Sequence, residues 1–146
     1  AGAGAFKVVC VWDGSAWAAT GGGLTPAQAP LTVGVVVNGG GTTIGTGSKG
    51  YAIVPVACTL ASATLLADQT GSIVIDVKRS TYAGFPSTTS LCSGGTCPTL
   101  SSVQKSKTYT LTSWTTSLAA GDVIEFVVNS ATSVQQVTLS MGCTRP

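Results

Sequence analysis

The feature that most restricts this chain is a two-residue beat in its apolar side chains. Stretches such as "SIVIDVKR" (72–79) and "VIEFVVNS" (123–130) place Ile, Val and Phe at alternate positions or in short β-branched runs, bounded by Gly, Pro, Asn and Ser. A period of two puts successive side chains on opposite faces of an extended strand, whereas an amphipathic helix needs apolar residues three and four apart. Helical periodicity is nearly absent, so the expected class is all-β: an antiparallel, jelly-roll-like β-sandwich with an N-terminal β-hairpin arm. The 146 residues are about the size of one domain and suffice for a real core.

Turn chemistry divides the chain. "FKVVCVW" (6–12) reads as a strand, Asp13-Gly14 as a hairpin turn, and "SAWAAT" as the return strand, with Trp12 and Trp17 close across it. "GGGLTPAQAP" (21–30), with three glycines and two prolines, has no periodicity and reads as a connector. The expected organisation is therefore an arm at 1–23, a linker at 24–30 and a sandwich at 31–146. A lone hairpin is marginal in water, so the arm is expected to pack on a neighbouring subunit through Phe6, Trp12 and Trp17.

From Leu31 the strand signals recur at sandwich spacing: "LTVGVVVN", a Gly-rich turn over 39–50, "YAIVPVA" with Pro55 at an edge or bulge, "CTLASATLLA", and "SIVIDVKR". The last two read as separate strands joined by a polar turn in which Asp68 belongs with Gly71. Residues 80–100 read as a long irregular loop. "KTYTLTSW", a turn at Ala120-Gly121-Asp122, "VIEFVVNS" and "SVQQVTLSMGC" complete about eight strands.

Composition bears on partners. Only 8% of residues are charged, against roughly 25% in ordinary soluble domains. The net charge is +2, and the seven Lys and Arg residues are scattered, which argues against a nucleic-acid partner. No apolar run approaches the roughly 20 residues that would span a bilayer, so no membrane insertion is expected. A surface this poor in charge favours association. Burial in a homo-oligomer or a particle answers that tendency.

Five cysteines leave at least one without a partner inside the chain. Cys92-Ser-Gly-Gly-Thr-Cys97 closes a tight loop and is expected to form a disulfide, which places the protein in an oxidising, extracellular setting or a hot one. Cys10, Cys58 and Cys143 read either as small apolar core residues or as the source of a second bridge. A zinc site would need further Cys or His ligands, and there is no His, so neither metal nor cofactor is assigned.

Without His, Ser-His-Asp and Cys-His machinery cannot be built. A glycosidase pair would have to come from Asp13, Asp68, Asp76, Asp122 and Glu125. Asp13 and Asp122 sit in turn sequences; Asp76 and Glu125 occupy the polar phase of strands, in solvated or cross-strand-paired positions, with Glu125 paired to Lys78 or Arg79. Asp68 with backbone carbonyls offers no clustered calcium set. "NGGGTTIGTGSKG" lacks phosphate-loop order. No catalytic residue is assigned. Tyr82, Phe85 and Trp114 are the candidates for stacking on a sugar, with structural packing as the alternative.

The segments "GTGSKGYAIVPVACTLASATLLADQTGSIVIDVKRSTYAGFP", "PTLSSVQKS" and "LTSWTTSLAAGDVIEFVVNSATSVQQVTLSM" together resemble a recurrent domain of tailed-bacteriophage virion proteins. That domain is common at the C-terminal end of tail, fibre and minor structural proteins. The resemblance implies a β-sandwich that assembles on an extracellular particle, often as trimers, with other virion proteins, and that decorates the particle or contacts a host surface glycan. It implies no enzyme activity. "SLCSGGTC" and Gly142-Cys143 depart from the family pattern and imply extra covalent stabilisation. Rival expectations are a carbohydrate-binding adhesin, and a surface filament subunit that donates its N-terminal strand to the next copy.

Overall fold

The computed structural model describes residues 10–12, 17–19 and 30–146. Strands β1 (Cys10–Trp12) and β2 (Trp17–Ala19) pair antiparallel with Trp12 opposite Trp17. Phe6, the hairpin turn and residues 20–29, with most of the proposed linker, lie outside the described residues.

The main sheet comprises β3 (Leu31–Asn38), β4 (Gly47–Ile53), β5 (Cys58–Ser80), β6 (Thr89–Ser90), β7 (Thr99–Thr108), β8 (Ser117–Leu118), β9 (Val123–Thr132) and β10 (Gln136–Thr144). The class is all-β and antiparallel, as the alternation predicts, with the sheet nearly closed into a barrel. Its axis is β5, 23 residues long. Along one edge of β5 run β9, opposite 72–80, and then β10, opposite 59–67. The other edge takes β8, β7 and β6 in turn. On the far side of the β9–β10 ribbon, β3 lies on β10 and β4 on β9. Three long ribbons thus cross the molecule side by side, and each is creased at mid-length.

The crease differs from the turns expected of the sequence. Asp68–Gly71 is no turn: β5 passes straight through it. Ladder pairing lapses there, between Val137 opposite Ala67 and Thr132 opposite Ser72, and side chains make the missing bonds. One Asp68 carboxylate oxygen accepts the N–H groups of Gln135 (3.2 Å) and Gln136 (3.0 Å). The Gln69 amide donates to the Ser133 carbonyl, and the Gln104 amide donates to the Asp68 carbonyl at 3.1 Å. Gly71 is required by close approach, because a Cβ there would stand 2.5 Å from the Thr132 carbonyl oxygen and 2.8 Å from a Val134 methyl. In the same way, the Gly-rich turn is shorter than 39–50: Gly47 already belongs to β4, which absorbs the excess length as a register shift between Ser48 and Gly50 against β9. Pro55 sits in the exposed bend after β4.

Rolling at the crease brings the inner faces of both halves of β5 into one cluster. Leu65 and Ile75 share it with Phe126, Ile124, Leu139, Met141 and Leu100, each essentially buried. Full burial of such a side chain contributes roughly 1.5–3 kcal/mol, so the alternating positions carry the stability of the fold. A disulfide between Cys58 and Cys143 ties the start of β5 to the end of β10.

Candidate functional site

The predicted bridge between Cys92 and Cys97 is present. It closes a small loop whose glycines lie flat on the segment after β7. A Cβ on Gly95 would meet the Thr112 carbonyl oxygen at 2.3 Å and Trp114 Cδ1 at 3.2 Å; one on Gly94 would meet the Ser113 carbonyl oxygen at 2.7 Å. The Trp114 indole N–H donates to the Thr96 carbonyl at 3.1 Å, so loop and tryptophan hold each other. Ser113, at φ 63°, takes the left-handed conformation that non-glycine residues seldom adopt.

Beside this loop opens a cleft of about 350 Å³. It is lined by Ala63 and Leu65 of β5, Ser106 and Thr108 of β7, then Thr110, Thr112 and Trp114, and Thr96 to Thr99. Leu65 stands opposite Ser106 and Ala63 opposite Thr108, so both hydroxyl residues project on the core face of the sheet. Two hydroxyls are already committed locally: Thr99 Oγ1 donates to the Cys97 carbonyl at 2.7 Å, and Thr108 Oγ1 donates to the Thr110 carbonyl at 3.1 Å.

The other aromatic candidates go elsewhere. Phe85 stands edge-on to Tyr51 of β4, with ring centroids 5.2 Å apart and planes at 87°. Tyr82 is 81% exposed in the same loop. Neither lines the cleft, so the grouping of Tyr82 and Phe85 with Trp114 is corrected to two separate places. The reason is topological: residues 81–88 reach β4, where Phe85 meets Tyr51, whereas Trp114 is held by the 92–97 loop. Sequence reading missed Tyr51, whose signal was its place in the outward phase of "GYAIV".

The carboxylates are used structurally. Asp122 is buried, accepts the Ala119 N–H at 2.8 Å and faces Arg79 at 3.7 Å. Glu125 is opposite Lys78 in the ladder, yet its hydrogen bond comes from the Thr88 hydroxyl at 2.6 Å. Asp76 accepts from the Ser90 hydroxyl at 2.6 Å. Its carboxylate and the sulfurs of Cys92 and Cys97 lie within 4.8 Å of one another. Bonding the sulfurs to each other removes the thiolates a metal would take. The Asp68 carboxyl is held below its ordinary value, chiefly by the Gln136 N–H, against the opposing effect of desolvation and with the Gln135 N–H adding to the lowering.

Comparison with protein-family models, with curated proteins and with solved structures finds no match to this chain.

Proposed function

We propose that this chain is a non-enzymatic structural module of a bacteriophage virion, of the capsid-decoration or tail-fibre type, which assembles with copies of itself and with other virion proteins on an extracellular particle. One observation carries the assembly reading: the outer edge of the sheet at β3 is apolar and unguarded, whereas β4 carries Lys49 and a register shift that partly guard it. Strands β3 and β4 have no ladder partner on their outer side among the described residues. β3 contains neither a charged residue nor a proline, the usual devices that keep an edge from pairing with another chain. On β4, Tyr51 is 55% exposed and Ile53 56%, and Phe85 continues the apolar surface from Tyr51. Two intrachain disulfides suit an extracellular particle, and the sequence resemblance supplies the virion.

Sedimentation of the full chain at micromolar concentration, with mass spectrometry of purified particles, tests this reading. A homo-oligomer, expected to be a trimer, that weakens in the Tyr51→Ser, Ile53→Ser double variant supports it. A monomer absent from particles sinks it.

A further inference from the structure

We infer that the cleft between the Cys92–Cys97 loop and Trp114 is a binding site for a neutral, polyhydroxylated ligand, a saccharide residue. A strand whose core-facing positions carry hydroxyls breaks the rule that closes the rest of the interior. Ser106 and Thr108 stand directly opposite the buried Leu65 and Ala63, where aliphatic side chains would have completed the core. Sequences that violate their own pattern tend to do so where function requires it.

The chemistry of the lining selects the ligand class. No side chain lining the cleft carries a charge, so nothing there repays the desolvation of an ion. Thr96, Thr110, Thr112 and Ser106 supply hydroxyls that both donate and accept; Thr99 keeps acceptor capacity after its local bond, and Thr108, which also accepts the Thr110 N–H at 3.3 Å, keeps one acceptor position. Trp114 adds an aromatic ring whose only polar atom is already satisfied by Thr96, leaving the ring for apolar contact. Alternating hydroxyl and apolar surface is the complement of a sugar ring. The volume of about 350 Å³ lies at the small end of ligand clefts, room for one or two rings. The site is also built rigidly: the disulfide and the glycine contacts fix one wall before any ligand arrives, which lowers the ordering cost of binding.

The test is saturation-transfer NMR on the full chain with glucose, galactose, N-acetylglucosamine and maltose, with glucuronate as a charged control, alongside an oligosaccharide array. Transfer from at least one neutral sugar is expected, weakened roughly five- to tenfold in Thr108→Val and in Ser106→Ala, each losing one hydrogen bond. Both variants keep side-chain shape, and an unchanged melting curve establishes that they fold. Binding to free sugars alone assigns a soluble saccharide; binding on the array as well assigns the end of a surface glycan. The proposal is overturned if no neutral sugar shows transfer, if glucuronate binds best, or if Thr108→Val and Trp114→Phe together leave binding unchanged.

Discussion

The two disulfides use the same bond for different ends. Cys58–Cys143 spans 85 residues of sequence and joins two neighbouring strands at one end of the barrel, buried on both sides. Cys92–Cys97 spans five residues and fastens only its own loop against Trp114. Chain entropy makes the first a bond that holds the fold and the second a bond that holds a surface.

The strongest way to break this contrast is to replace both cysteines of the long bridge. Cys58→Ala with Cys143→Ala should lower the unfolding free energy by about 4.5 kcal/mol from loop closure alone, read as a fall in urea midpoint with a slope that rises as the released unfolded chain exposes more surface. A loss below about 1 kcal/mol would mean that the β5–β10 ladder constrains the unfolded chain no further when bonded.

Next in size is Gly95→Ala. Its methyl collides with backbone as well as with the Trp114 ring, so about 1–3 kcal/mol is expected. The tryptophan emission of a variant lacking Trp12 and Trp17 should shift as Trp114 gives way. If emission and stability both stay put, the loop does not position the ring.

Removing the short bridge with Cys92→Ala and Cys97→Ala should cost only about 2 kcal/mol. Its sharper signature is local: faster proteolysis within residues 93–96 while amide exchange in β5 is retained. Global unfolding equal to that of the first pair would erase the distinction between the two bridges.

The smallest effect concerns a fastening that pH can undo. Asp68 holds the crease by accepting backbone N–H groups, and its folded pKa lies below the unfolded value. Its contribution is therefore fully present above the unfolded pKa and is lost as pH falls through the lower folded one. Asp68→Asn keeps an acceptor but no charge, so urea midpoints measured between about pH 5 and pH 2 should lose part of their slope relative to the parent. An identical slope would show that this carboxylate is uncoupled from folding.

These comparisons mark how far the residues could be read in advance. The Cys92–Cys97 loop was legible because its ring closure is local: two glycines within a four-residue gap suffice. Cys58–Cys143 was not, since nothing in either flank names a partner 85 residues away. Asp68–Gly71 has the residue types of a turn, yet its composition serves a crease. The glycine admits a crossing backbone and the carboxylate replaces two ladder bonds, and both needs arise only once β9 and β10 lie alongside. The cleft was invisible for a related reason. Ser106 and Thr108 are two among many hydroxyl residues of the chain until their register against Leu65 and Ala63 turns them inward.

By itself the sequence determined the class of structure, because a two-residue apolar period has one low-energy solution, an antiparallel sheet burying one face. It also determined that Trp12 and Trp17 lie across from each other in an antiparallel pair, and the short disulfide, each settled by residues near one another in the chain. Only the tertiary structure decided that two strands are one, that Trp114 and Phe85 serve different surfaces, and that hydroxyls of β7 face a cleft. Those outcomes depend on which distant ribbons lie side by side. That choice is set by the summed burial of the whole core, and no local stretch encodes it alone.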